Sequence, residues 1–207
     1  MAVRGRSVDE RRCRRELIRP RLADGTLGNG LGSGDATSRF TARCGATITC
    51  NHRAEVTQRL NPYAVSPDGV AALAGVESYL QNSGLDHRLM ALVKTRVSQI
   101  NGCAYCLHMH TEEARKLGES DMRLYLLDAW RESDLYSARE RAAMAWAESL
   151  THIAVTHAPD EVYDGARRQF SEKELMDLSI VIAMINAWNR LAIGARAVHP
   201  AERAKAA

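Results

Sequence analysis

The chain has 207 residues, enough for one domain with a sizeable core and too few for two. Its net charge of +3 is unevenly spread: residues 1–55 hold 11 Arg, no Lys and 6 acids, whereas from Val56 onward 17 basic residues face 19 acidic ones. The second part is close to neutral, which argues against a cationic surface for nucleic acid or anionic lipid.

Residues 1–55 begin with Arg runs such as "DERRCRRELIRPR", pass through "GTLGNGLGSGDATSR" and contain a single aromatic residue, Phe40. A stretch with so little to bury cannot offset its ordering entropy, so it reads as a disordered tail. A basic arm for nucleic acid is the functional alternative, but the tail lacks Lys and interleaved aromatics. A third reading starts translation at Val56, where "VTQRLNPYAVSP" resembles a natural beginning. No stretch approaches the roughly 18 consecutive apolar residues of a membrane span, and Arg-rich sequence stands where a signal peptide needs an apolar core. The expectation is a cytoplasmic protein with no membrane or nucleic-acid partner. The five cysteines, Cys13, Cys44, Cys50, Cys103 and Cys106, are an odd count for a secreted disulfide framework.

From Ser66 the chain becomes helical almost throughout, so residues 56–207 are the expected folded domain. Ser66 and Pro67 offer a helix start and Gly84 a stop. Asp86 caps the next segment, "HRLMALVKTRVSQI", whose Leu89, Leu92, Val93, Val97 and Ile100 recur at helical spacing. Gly102 breaks the chain, Cys103 to Leu117 make a third helix ended by Gly118, and "SDMRLYLLDAW" a fourth. Ser137 with Glu140, and Ser171 with Glu174, fit capping boxes before two further helices, and "APDEVYDGARRQF" is a shorter one between them. No alternating strand pattern and no hairpin signal is present. The expected fold is all-α, with about six or seven helices.

The stretch "INGCAYCLHMH" carries the chemistry. On a helix, Cys103, Cys106 and His110 fall at i, i+3 and i+7 and share one face. Thiols at a helix start lie near unpaired N–H groups and the positive end of the dipole, which favours the nucleophilic thiolate. An imidazole one turn away can take the proton. A thiolate oxidised to sulfenic acid can condense with the neighbouring thiol to a disulfide. Two bland alternatives stay open: small buried thiols, or a zinc site with His108 or a distant residue as fourth ligand. Against zinc, a single helix column rarely encloses a tetrahedral ion, and no second ligand pair is present. A thioredoxin-type motif would need a preceding strand.

"LVKTRVSQINGCAYCLHMHTEEARKLGE", with "WRESDLYSARERAAMAWAESLT" and "INAWNR" downstream, resembles the carboxymuconolactone decarboxylase family in its alkyl hydroperoxide reductase D-like (AhpD-like) branch. The resemblance runs from about Val56 to about Arg196 and implies an AhpD-like helical bundle acting as a peroxidase. It implies Cys106 as the peroxidatic cysteine, Cys103 as the resolving one and His110 as the proton carrier, with no cofactor and no metal. It further implies a hydroperoxide substrate, a dithiol or lipoyl-bearing protein reductant, and a homotrimer or higher homo-oligomer. The chain departs from the branch at two places. The relay glutamate twelve residues before the first cysteine is Ala91, and the histidine just before the second is Tyr105, a poor base near neutrality. Glu112, Glu113 and Glu140 are the candidate replacements for the lost carboxylate, and a lower turnover is expected.

Two other readings accompany this one. A cofactor-free decarboxylase or isomerase of the lactone branch would not need the cysteine pair, and a helical scaffold could use it to sense oxidation. Asn186 and Arg190 share a helix face and read as a structural hydrogen-bond network rather than a pocket lining. Trp130, Trp146 and Trp188 read as core or interface. The methionines (Met90, Met109, Met122, Met144, Met176, Met184) read as core filler. His108 reads as surface, and the sequence spacing of His52, His87, His152, His157 and His199 suggests no functional group for them.

Overall fold

The computed structural model describes residues 57–199, so the readings of the tail and of Cys13, Cys44, Cys50 and His52 fall outside the described residues. Within that span the chain is all helical. The α-helices are α1 (Pro62–Val65), α2 (Pro67–Gln81), α3 (His87–Asn101), α4 (Ala104–Lys116), α5 (Asp121–Tyr125), α6 (Ala138–Thr151), α7 (Ile153–Thr156), α8 (Asp160–Arg167) and α9 (Glu172–Ala195). A 3-10 segment, Leu127–Glu132, follows α5. The segments beyond the expected six or seven are α1 and α7, single turns of four residues each.

Local chemistry fixes most boundaries. Asp86 accepts the Leu89 N–H at 2.8 Å and starts α3. The boxes Ser137/Glu140 and Ser171/Glu174 close as expected, each serine bonded to the glutamate N–H and each glutamate back to the serine N–H. Gly102 takes φ +68°, a left-handed conformation that suits glycine. Its N–H reaches Gln99 O, and the Cys103 N–H reaches Ser98 O. This tight closure sends the chain straight from α3 into α4, placing the cysteines at a helix start.

The long helix α9 packs on α2, α3, α4, α6 and α8. Its Leu178, Val181, Ile182 and Ile185 are fully buried with Leu80, Val93 and Val97 in the main apolar cluster. Each such side chain contributes roughly 1.5–3 kcal/mol relative to exposure. That cluster also contains Cys103 and Cys106. A second cluster joins Ala91 and Leu92 of α3 to Ala114, Leu124, Leu127, Trp130, Tyr136 and Met144. By length and composition α9 is the one helix among the described residues that could cross a membrane; here it is the packed centre of the bundle.

Polar contacts tie the outer helices down. Burial raises the Glu148 carboxyl, but Trp130 Nε1, Arg131 and Arg96 outweigh that and hold it below its ordinary value. Glu174 at the start of α9 is held at about 2, against an ordinary 4.5, by the Ser171 backbone and hydroxyl and by Arg139. Because the folded value is the lower one, this stabilisation is complete above pH 4.5 and fades as pH falls toward 2. The carboxylate is 36% exposed, so solvent screening reduces the effect to roughly 0.5–1 kcal/mol. Urea midpoints measured across the acid range are expected to fall less steeply for Glu174→Gln than for the parent chain. Superimposable acid limbs would refute this.

Candidate active site

Cys103 is the residue that caps α4: its Sγ accepts the Cys106 N–H at 3.3 Å. Cys106 is the third residue of the helix, within the first turn. The two sulfurs are joined in a disulfide with Cα atoms 5.4 Å apart. Both residues are buried, Cys103 at 1% and Cys106 at 4% exposure. Both sulfurs lie at the helix start, as the spacing predicts, but in different positions there. Capping favours an anion on Cys103, whereas the imidazole of His110 lies one turn beyond Cys106 and two beyond Cys103.

His110 Nδ1 is 2.8 Å from Glu113 Oε2. An ionised carboxylate can only accept, so Nδ1 carries the hydrogen and Nε2 is left as the proton acceptor. The hydrogen bond to His110 is the main cause holding the Glu113 carboxyl below its ordinary value. Partial burial opposes it, and the charges of Lys94 and His87 assist. The other two candidate carboxylates are committed elsewhere. Glu112 pairs with Arg115 at 2.9 Å, and Glu140 pairs with Arg123 at 2.5 Å and closes the α6 capping box. Ala91 is buried in the second apolar cluster with Ala114, a residue one turn beyond His110 on α4.

One element went unread in the sequence. Lys94 of α3 is buried and pairs with Glu77 of α2 at 2.7 Å, and Glu77 also accepts from Trp188 Nε1 at 3.0 Å. The available signal was a lysine set inside the apolar run "LMALVKTRV". Asn101, ahead of Gly102, was also passed over. Its amide donates to Asn186 Oδ1 at 2.9 Å and Asn189 Oδ1 at 2.8 Å, and Asn189 donates to Ser98 Oγ. Asn186 and Arg190 serve as the expected network, since Arg190 donates to the Asn186 carbonyl and side chain. They also line an open cleft of about 370 Å³ with Leu150, Thr151, Ile153 and Ile182.

Tyr105 packs half-buried against the cysteine cluster. His108 is half-buried and meets the His199 ring edge-on at 4.7 Å, a contact that spacing did not suggest. Trp130 and Trp146 are core residues, as expected. The methionines divide: Met90, Met144 and Met184 are buried, while Met109, Met122 and Met176 are exposed and fill no core. Among the described residues no three His, Cys, Asp or Glu side chains converge as a metal-binding set.

The pattern of the carboxymuconolactone decarboxylase family matches residues 67–149. The uncharacterised protein YdfG of Bacillus subtilis is 41% identical over 138 residues, spanning 67% of this chain and 94% of YdfG. The chain belongs to the carboxymuconolactone decarboxylase family. Among solved members of similar fold is ATU0492 of Agrobacterium tumefaciens, a protein of unknown function named as a candidate AhpD antioxidant defence protein. It has 42% identity and a TM-score of 0.68, over 70% of this chain and 99% of that one. A peroxidase-related protein from Silicibacter sp. TM1040 has 24% identity and a TM-score of 0.60, over 68% and 74%; this shows shared fold alone. The likeness to ATU0492, over 70% of this chain, is longer than the stretch of residues 67–149 that the family pattern matches.

Proposed function

We propose that the chain is a thiol-dependent hydroperoxide reductase in which Cys106 attacks, Cys103 resolves and His110 moves the proton. One observation supports the reading above the rest. Two sulfurs close enough to be joined sit in the first turn of a helix, with an imidazole one turn further on. The Cys106 thiol gives its proton to His110 Nε2, and the thiolate attacks the terminal oxygen of the hydroperoxide. The O–O bond breaks, the alkoxide leaves and takes the proton back from His110, and Cys106 becomes a sulfenic acid. The Cys103 thiolate then displaces hydroxide from that sulfur, giving the disulfide and, with one proton, water. Two electrons and two protons from an external dithiol, free or lipoyl-bearing, restore both thiols.

The test is stopped-flow consumption of cumene hydroperoxide by the reduced full chain with dihydrolipoamide as reductant. Saturable turnover above that of the alkylated protein is expected, with disulfide formed in the first cycle. A rate equal to the alkylated control would end the proposal, and rapid disulfide formation without turnover would favour an oxidation sensor. The same reading places the chain in a reducing cytoplasm as a homotrimer or larger homo-oligomer. Sedimentation of the full chain is expected to give a trimer or a multiple of it, and a monomer at micromolar concentration would remove that part.

A further inference from the structure

We infer that Glu113 is the positioning carboxylate of His110 in this chain, supplied from α4 itself in place of one from α3. The inference rests on the thiol-peroxidase reading of the Cys103–Cys106 pair and deepens it. A site that moves a proton through an imidazole gains from a carboxylate that fixes its tautomer and stabilises its charged form. The position on α3 from which the resemblance would draw that carboxylate is Ala91, enclosed in an apolar cluster with nothing ionisable on its side chain. Of the three glutamates able to replace it, only Glu113 touches the imidazole, at 2.8 Å; Glu112 and Glu140 hold arginines.

The competing explanation is an ordinary i,i+3 surface pair, weak and without consequence for the thiols. Two observations oppose it. The imidazole is only 12% exposed, so its orientation is set by packing and by this bond rather than by solvent. The carboxylate also lies within electrostatic reach of Lys94 and His87 on α3, whose charges act on it in the same direction as His110. Lys94 is itself buried and neutralised by Glu77. Glu113 therefore stays ionised near neutral pH, accepts from Nδ1 and leaves Nε2 as the ring nitrogen that can take a proton.

The measurement is the pH dependence of Cys106 alkylation by iodoacetamide in the reduced full chain, read at the peptide level by mass spectrometry. Glu113→Gln keeps a hydrogen-bond acceptor for Nδ1 but removes the charge. It is expected to raise the alkylation midpoint by about one pH unit and slow the reaction roughly tenfold below that midpoint. Glu112→Gln is expected to leave both unchanged. Ala91→Glu added to Glu113→Gln is expected to move the midpoint back; if that double variant does not fold, the two single variants still decide. A midpoint in Glu113→Gln equal to that in Glu112→Gln overturns the inference, whether or not the parent chain consumes hydroperoxide. A shifted midpoint in a chain that never turns over hydroperoxide would leave the positioning role standing and remove the peroxidase reading.

Discussion

Cys106→Ser is expected to reduce hydroperoxide consumption to that of buffer and dithiol, a loss of at least roughly 10³-fold, because the serine hydroxyl is not ionised under conditions where a thiol is. Cys103→Ser is expected to behave differently. It retains a single turnover per chain, leaving Cys106 as a sulfenic acid that dimedone can trap, and then stalls for want of a resolving sulfur. Two physical effects compete for these roles. Capping of α4 favours negative charge on Cys103, whose sulfur already accepts the Cys106 N–H. Proximity to the base favours Cys106, which is about 6 Å along the helix from His110, whereas Cys103 is about 10 Å from it. Proton transfer needs hydrogen-bond reach, while the dipole acts over the whole first turn, so the imidazole should decide. Dimedone adducts on Cys103 in Cys106→Ser, and none on Cys106 in Cys103→Ser, would exchange the two roles.

The second large effect is on stability. Glu77→Leu is expected to cost about 3–5 kcal/mol, because it strands a buried ammonium. The Lys94 side chain is 5% exposed and Glu77 is its carboxylate at 2.7 Å; Trp188 Nε1 loses its acceptor in the same variant. Lys94→Met is expected to cost under about 1 kcal/mol, since methionine keeps most of the apolar stem and Glu77, 24% exposed, remains hydrated and bonded to Trp188. The double variant should recover most of the loss, leaving only the unpaired indole N–H at roughly 1–3 kcal/mol. Urea midpoints at unchanged m-value measure all three. If Lys94→Met proved as damaging as Glu77→Leu, the buried pair would be a net attraction rather than a compensated burden.

The elements written in local chemistry were the legible ones. Asp86 and the two capping boxes act on backbone groups within three residues, so their spacing was enough to place the starts of α3, α6 and α9. Ser66 and Pro67 do start α2, with Ser66 at the cap position, although the serine side chain makes no capping bond and its N–H also closes the short α1. Gly84 does turn the chain, but α2 has already ended at Gln81, where Asn82 takes over. The fourth helix appears as α5 followed by a 3-10 segment. At the site, the Cys103, Cys106 and His110 spacing was readable because one helix carries all three. Helical spacing alone favours Glu113, three residues beyond His110, over Glu112, two beyond; what it does not show is that Glu140, on another helix, is held by Arg123. The Lys94–Glu77 and Asn101–Asn189 contacts join residues 17 and 88 apart, and no local pattern encodes such partners.

The disulfide between Cys103 and Cys106 encloses a single helical turn. A cross-link stabilises a fold chiefly by limiting the freedom of the unfolded chain, and for so small a ring that limit is worth roughly 2 kcal/mol, well below that of a long loop. Opening the clasp therefore costs the bundle less of its resistance to melting than opening a cross-link across a long loop would. In the proposed catalytic cycle, electrons would then pass through the site repeatedly without the scaffold being remade at each passage.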